Sequence, residues 1–177
     1  VTDIDSVNGK SKTRPETGKN CQSGNDTLKL WLPKENELDK LLSLKESDKN
    51  DKNLPVKVAY QIPLTINDGK NNVVVNPYTF EDSLVMENRQ FFQTLAGGTG
   101  LLKKMTDAAK EADINISAQA MYDAITDKGA KKAEFALELF YFEEPNKLAT
   151  PQYIKEGLDW LELKLIISKN NTAKVVK

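Results

Sequence analysis

The sequence predicts an α/β chain, with a sheet first and helices after, on three observations. Val1 to Val7 has the look of an extended segment that carries Asp3 and Asp5. Pro55 to Ile62 alternates apolar and polar residues as a half-buried strand does, and Val73 to Val75 forms a second apolar run beyond the turn signal Asn67-Asp68-Gly69-Lys70-Asn71-Asn72, so the two make a candidate hairpin. From Thr79 onward apolar residues recur at helical intervals.

Asn8 to Asn20 is polar and punctuated by Gly and Pro, so it is expected to be a loop; Lys10, Lys12, Arg14 and Lys19 make it either a solvated basic loop or a contact for a polyanion. A short helix is expected over Asn25 to Leu32, ended by Pro33, and a second over Glu35 to Leu44. Lys45 to Asn53 is a charged linker. Five helical stretches follow the β-rich part: Phe80 to Leu95, Leu101 to Ala112, Ser117 to Thr126, Lys131 to Phe142 and Pro151 to Ile167. Gly97-Gly98-Thr99-Gly100 lacks the Gly-Lys-Ser/Thr ending of a phosphate loop and is expected to be a helix end and turn. The last helix opens on Thr150 and Pro151, and its stripe of Tyr153, Ile154, Leu158, Leu161 and Leu165 is expected to be core. Ser168 to Lys177 is a polar tail expected to fray.

Composition excludes more than it assigns. With 177 residues, 39% apolar and 29% charged, the chain can bury one ordinary core. A net charge of -1 argues against a uniformly basic nucleic-acid binder, and Arg14 and Arg89 are the only arginines. Cys21 stands alone, which rules out an internal disulfide and Cys-x-x-Cys sites and suits a reducing compartment. There is no histidine, so Ser-His-Asp triads, Cys-His dyads and imidazole-ligated zinc are excluded, leaving oxygen-ligand chemistry. No apolar run has the length of a membrane span.

Three stretches could carry that chemistry. In Asp3-Ile4-Asp5-Ser6 two carboxylates two apart on an extended segment face one side, as a half-site for magnesium or manganese or as a solvated loop. In Thr79-Phe80-Glu81-Asp82 the acids are either helix caps, Thr79 and Asp82 having the spacing of a capping box, or ligands to a shared metal. In Lys131-Lys132, Lys132 shares a helix face with Phe135, Ala136 and Leu139, whereas Lys131 aligns with Glu134 and Glu138. Lys132 is thus either snorkelling along apolar surface or aimed into a cleft.

Taken together, Thr2-Asp3-Ile4-Asp5-Ser6-Val7, Tyr78 to Asn88, Lys132 to Leu137 and Pro151 to Leu158 resemble the C-terminal Toprim region of the OLD-family nucleases, the ATPase-nuclease proteins that include the nuclease subunit of the Gabija anti-phage system. The resemblance implies a partial Toprim-like (Rossmann-like) sheet with a helical C-terminal subdomain: residues 1–78 as the C-terminal part of the catalytic core with an insertion, 79–167 as the helical subdomain, and 168–177 as a flexible tail. It implies a cytoplasmic DNA endonuclease that uses two magnesium or manganese ions and cuts by metal-assisted hydrolysis. Asp3 and Asp5 would hold metal, Asp82, with Glu81, would complete a second metal shell, and Ser6 would support the first ion; Lys132 and Asp82 would be catalytic, Lys132 stabilising the charge on the scissile phosphate or helping the leaving oxygen.

The family also has a glutamate on an earlier strand and an ABC-type ATPase domain, both expected upstream of this segment, so ATP would act only there and the segment alone is expected to be incomplete. A homo-oligomer and a helicase-like or other defence partner are further implications. Two rival readings share the residues: a non-catalytic oligomerisation or partner-docking module, and primase-type phosphoryl chemistry at the same centre.

Overall fold

In the computed structural model, which describes residues 1–32, 35–50, 56–141 and 147–175, the chain is a mixed α/β protein whose strands are short and whose helices build most of the core. Pro33, Pro55 and Phe142, expected at element boundaries, lie outside these residues.

The N-terminal part is organised around Ile4. Strand β1 (Ser6–Asn8) pairs antiparallel with β2 (Ser11–Lys12) on one side and β3 (Gln22–Ser23) on the other. The expected loop thus begins as a tight hairpin, with Gly9 at φ 61° where the chain reverses. Helix α1 (Asp26–Trp31) starts where Asn25 accepts hydrogen bonds from the amides of Thr27 and Leu28, and α2 (Leu38–Ser43) follows. Ile4, Cys21, Leu28, Leu38, Leu41, Val58 and Tyr60 close into a first core. The charged linker is more ordered than its composition implies, because Glu46–Lys49 forms a short 3-10 turn and Lys49 is buried over the Tyr60 ring.

Residues 56–62 do not form the expected strand. Their backbone groups find separate partners, Val58 N donating to Lys49 O at 2.9 Å and Ala59 O accepting from Thr2 N at 2.9 Å, so no ladder develops. The hairpin is instead β4 (Leu64–Asn67) with β5 (Asn72–Val75), in register from Leu64 opposite Val75 to Asn67 opposite Asn72. Its turn is the expected one, with the Asp68 carboxylate accepting from the amides of Lys70 and Asn71. All strand pairs among the described residues are antiparallel.

The helical half contains α3 (Phe80–Glu87), α4 (Arg89–Thr94), α5 (Gly100–Lys110), α6 (Ile114–Thr126), α7 (Lys132–Tyr141) and α8 (Gln152–Val175). One expected helix, Phe80 to Leu95, is two. Asn88 breaks it: its side chain donates to Leu84 O and to Ala149 O, both at 2.9 Å, and accepts from Ala149 N at 2.7 Å, competing with the helical ladder. Helix α6 begins earlier than expected because Asp113 caps it. Gly97 and Gly98 take positive φ in the turn between α4 and α5, as a helix end followed by a turn requires. Leu84, Val85, Phe92, Leu102, Met105, Met121, Phe135 and Leu139 are among the second core, against which β4 and β5 pack.

Helix α8 departs from expectation twice. It continues through the stretch expected to be a tail, and its stripe is only partly core: Tyr153 is buried, whereas Leu158, Leu161 and Leu165 are about half exposed. Its first turns lie on the 56–61 segment, where a Cβ at Gly157 would sit 3.3 Å from the Ala59 Cβ; glycine is what lets the backbones approach. No helix among the described residues is long and apolar enough to cross a membrane.

Candidate functional site

The first acidic segment is held by its neighbour Ile4. With its side chain fully buried, Ile4 donates its amide to Gln61 Oε1 at 2.8 Å and accepts from Ser23 Oγ at 2.8 Å, so Asp3 and Asp5 flank a fixed point. Simple alternation does not carry them to one side, however, because Asp5 has φ 47° and the chain turns there. Gly24 makes this conformation possible. Its amide donates to Asp5 O at 2.7 Å, and a Cβ in its place would lie 2.9 Å from that oxygen and 2.9 Å from Val7 Cγ1. Asn25 Nδ2 then donates to Asp5 Oδ2 at 3.0 Å, linking the α1 cap to the second carboxylate.

Asp3 is partly buried, and burial raises its pKa above the usual carboxylate value. The hydrogen bond from Gln61 Nε2, at 2.6 Å to Oδ1, works against this, as does the positive charge of Lys132; the negative charges of Asp5 and Glu81 reinforce it. Asp3 therefore stands within electrostatic reach of Asp5, Glu81 and Lys132, groups that come from the N-terminal segment, α3 and α7.

The adjacent acids of α3 are divided in role. Asp82 is 1% exposed, and its two oxygens accept from Tyr78 N and Thr79 N, each at 2.7 Å, while Thr79 Oγ1 and the backbone of Asp82 complete the capping box. Burial, partly opposed by these bonds, pushes its acid up to about 7. Glu81 turns the other way: its Oε2 accepts from Thr79 Oγ1 at 2.7 Å and forms an ion pair with Lys132 Nζ at 2.9 Å. Lys131 instead pairs with Glu134 at the surface, at 2.7 Å. Lys131 precedes α7 and Lys132 is its first residue; Phe135 and Leu139 are buried one and two turns further along the helix.

Two buried hydroxyls beside this cluster have no hydrogen-bond partner among the described residues: Ser6 Oγ, directly after Asp5, and the Tyr78 hydroxyl. Tyr78 stacks edge-on against Tyr122, and burial together with the charges of Asp5 and Asp3 raises its ionisation well above the normal phenol value. Tyr153 is similarly raised, by burial first and then by Asp3.

The structure thus brings Asp3, Asp5, Glu81 and Lys132 into one electrostatic neighbourhood, with Ser6 next in chain to Asp5, and commits Asp82 to the helix start. Among the described residues, no three Asp, Glu or Cys side chains stand close enough to hold one ion between them. Four participants were not evident from the sequence: Gly24, Asn25, Gln61 and Tyr153. Gln61 falls on the outward side of the expected strand yet is fully buried, and the one local signal for it is a large amide between Tyr60 and Ile62. The basic loop is partly engaged elsewhere, since Arg14 pairs with Glu16 and donates to Asn115 O.

These features define a mixed α/β chain with an acidic cluster faced by one lysine. Comparison with protein-family models, with curated proteins and with solved structures finds no match to it.

Proposed function

We propose that this chain is part of a metal-dependent DNA endonuclease of the OLD-family Toprim type, active in anti-phage defence and controlled by an ATPase domain upstream. The observation that carries the proposal is the Glu81–Lys132 ion pair at 2.9 Å, which stands within electrostatic reach of Asp3, a residue up to 129 positions away in the chain. Caps and solvated surface acids have no need to meet.

The donor set fits magnesium or manganese in kind, being carboxylate oxygens with a buried hydroxyl nearby. In number it offers fewer than three acids to any one ion among the described residues, so water and phosphate would have to fill the remaining positions. Asp3, Asp5 and Glu81 would hold the ions, and Asp82 would hold Glu81 by fixing the helix start. When bound, the ions supply Lewis-acid activation of water and charge neutralisation at the leaving oxygen. Lys132, released from Glu81 or shared with it, would face the scissile phosphate and stabilise its added negative charge. Hydrolysis then adds water across one P–O bond, leaving a phosphate end and a hydroxyl end.

A second reading, a docking module, is favoured by the half-exposed leucines of α8. The experiment that separates the two is magnesium-dependent cleavage by the full-length protein carrying Lys132→Met or Lys131→Met. We expect Lys132→Met to lower cleavage by about 100-fold or more, the scale for losing one group aimed at transition-state charge, and Lys131→Met to leave it within about twofold. Equal effects from both, or full activity in Lys132→Met, would overturn the assignment.

A further inference from the structure

We infer that Gln61 is a positioning residue whose amide sets Asp3 for cation binding, an inference that rests on the reading of Asp3 as a metal ligand. Gln61 is 0% exposed and joins three segments distant in sequence. Its Oε1 accepts from Ile4 N at 2.8 Å, and its Nε2 donates to Asp3 Oδ1 at 2.6 Å and lies 3.3 Å from the Tyr153 hydroxyl.

The orientation of this amide follows from its partners. Ile4 N can only donate, so the amide oxygen must face it, and the NH2 group is thereby turned toward Asp3. One carboxylate oxygen of Asp3 is then fixed as an acceptor from protein, while Oδ2 has no hydrogen-bond donor among the described residues. A carboxylate anchored through one oxygen and open at the other is arranged as a metal ligand, and a buried partner that orients a ligand in this way commonly changes metal affinity or activity by 10- to 100-fold when removed. The second Nε2 contact carries the arrangement into α8, since Tyr153 is buried where that helix meets residues 59–61.

A purely structural glutamine would affect folding but not the ion. The test is a Mn2+ titration of the full-length protein, followed by electron paramagnetic resonance, for wild type, Asp3→Asn, Gln61→Met and the double variant, with thermal melting alongside. We expect Gln61→Met to weaken Mn2+ binding 10- to 100-fold and to cause no further loss in the Asp3→Asn background, because the two residues act through one carboxylate. If Gln61→Met does not fold, Gln61→Asn, which keeps the amide and shortens its reach, is measured in its place with the same expectation. Unchanged Mn2+ affinity in the Gln61 variant, or an equal loss with and without Asp3, would overturn the inference about Gln61 alone. A wild type that binds no Mn2+, or an Asp3→Asn variant that binds it normally, would overturn the metal reading and this inference with it.

Discussion

Glu81 and Asp82 are neighbours with similar chemistry, and the structure gives them opposite work. Replacing Asp82 by Ala removes the acceptors for Tyr78 N and Thr79 N, both buried and both at 2.7 Å. A buried amide left without a partner costs about 1–3 kcal/mol, so two cost on the order of 2–6 kcal/mol. The variant also escapes the burial of a carboxylate, and that offset depends on pH. Asp82's acid is raised from 3.8 to about 7 in the folded state, so the folded protein holds this proton more tightly than the unfolded chain. The associated stability is complete below about pH 4 and is lost as pH rises through about 7.

Urea denaturation in EDTA, followed by circular dichroism, should therefore show Asp82→Ala less stable than wild type by about 2–4 kcal/mol at pH 5, within the range for two orphaned amides, with the gap narrowing toward pH 8. Glu81→Gln keeps an acceptor for Thr79 and loses only a pair whose lysine side chain is 44% exposed, which solvent screens to about 0.5–1 kcal/mol. Yet on the proposed function it is Glu81→Gln that abolishes cleavage while still folding. A loss below about 0.5 kcal/mol for Asp82→Ala at pH 5, or a gap that widens with pH, would refute the capping argument. Full cleavage by Glu81→Gln would refute the division of roles.

Two further outcomes follow from the same geometry. Gly24→Ala places a methyl 2.9 Å from Asp5 O and from Val7 Cγ1, and the backbone oxygen cannot give way cheaply; a loss of about 1–3 kcal/mol is expected in thermal melts and, on the proposed function, weaker Mn2+ binding as Asp5 shifts. Lys49 is 3% exposed, and burial lowers its pKa below 10.5 despite the Glu156 carboxylate 3.7 Å away. The unfolded chain thus binds the proton more tightly, so wild-type stability rises with pH in the window below 10.5. Lys49→Met removes that rise, and denaturation at pH 7 and pH 10 should show wild type gaining on the variant; a constant difference would refute the burial argument.

The parts of this arrangement legible in the sequence are those with partners close along the chain. Thr79 and Asp82 are three apart, and the capping box expected from that spacing is present. Helical spacing aligns Lys131 with Glu134 and sets Lys132 apart; Lys131 lies just before α7, yet it does pair with Glu134, whereas Lys132 pairs with Glu81. Where expectation fails, the deciding partner is remote. Asp5 leaves the extended region because Gly24 admits its carbonyl, 19 residues on. Asn88 interrupts a helix through hydrogen bonds to Ala149, 61 residues away. Gln61 is buried because Ile4 and Asp3 need its two ends. The α8 stripe has the pattern of a core helix, but pattern cannot say how far along a helix the covering layer extends, and here it stops soon after Tyr153.

The position of the acidic cluster between two cores has a physical consequence. Asp3 and Asp5 are carried by Ile4, which belongs to the core of Leu28, Leu38 and Tyr60. Glu81 and Lys132 are carried by helices whose Leu84, Val85, Phe135 and Leu139 belong to the other. Each core fixes the backbone that carries its own charges, because close-packed interiors tolerate little displacement. The distance from Asp3 to Glu81 is set by how the cores meet, through the Gln61–Tyr153 contact, the approach of Gly157 to Ala59 and the chain from Ile62 to Tyr78. On the proposed function, that distance must be held within a fraction of an ångström. A buried polar link such as Gln61, with all its groups engaged, specifies one geometry where apolar contact alone would permit sliding.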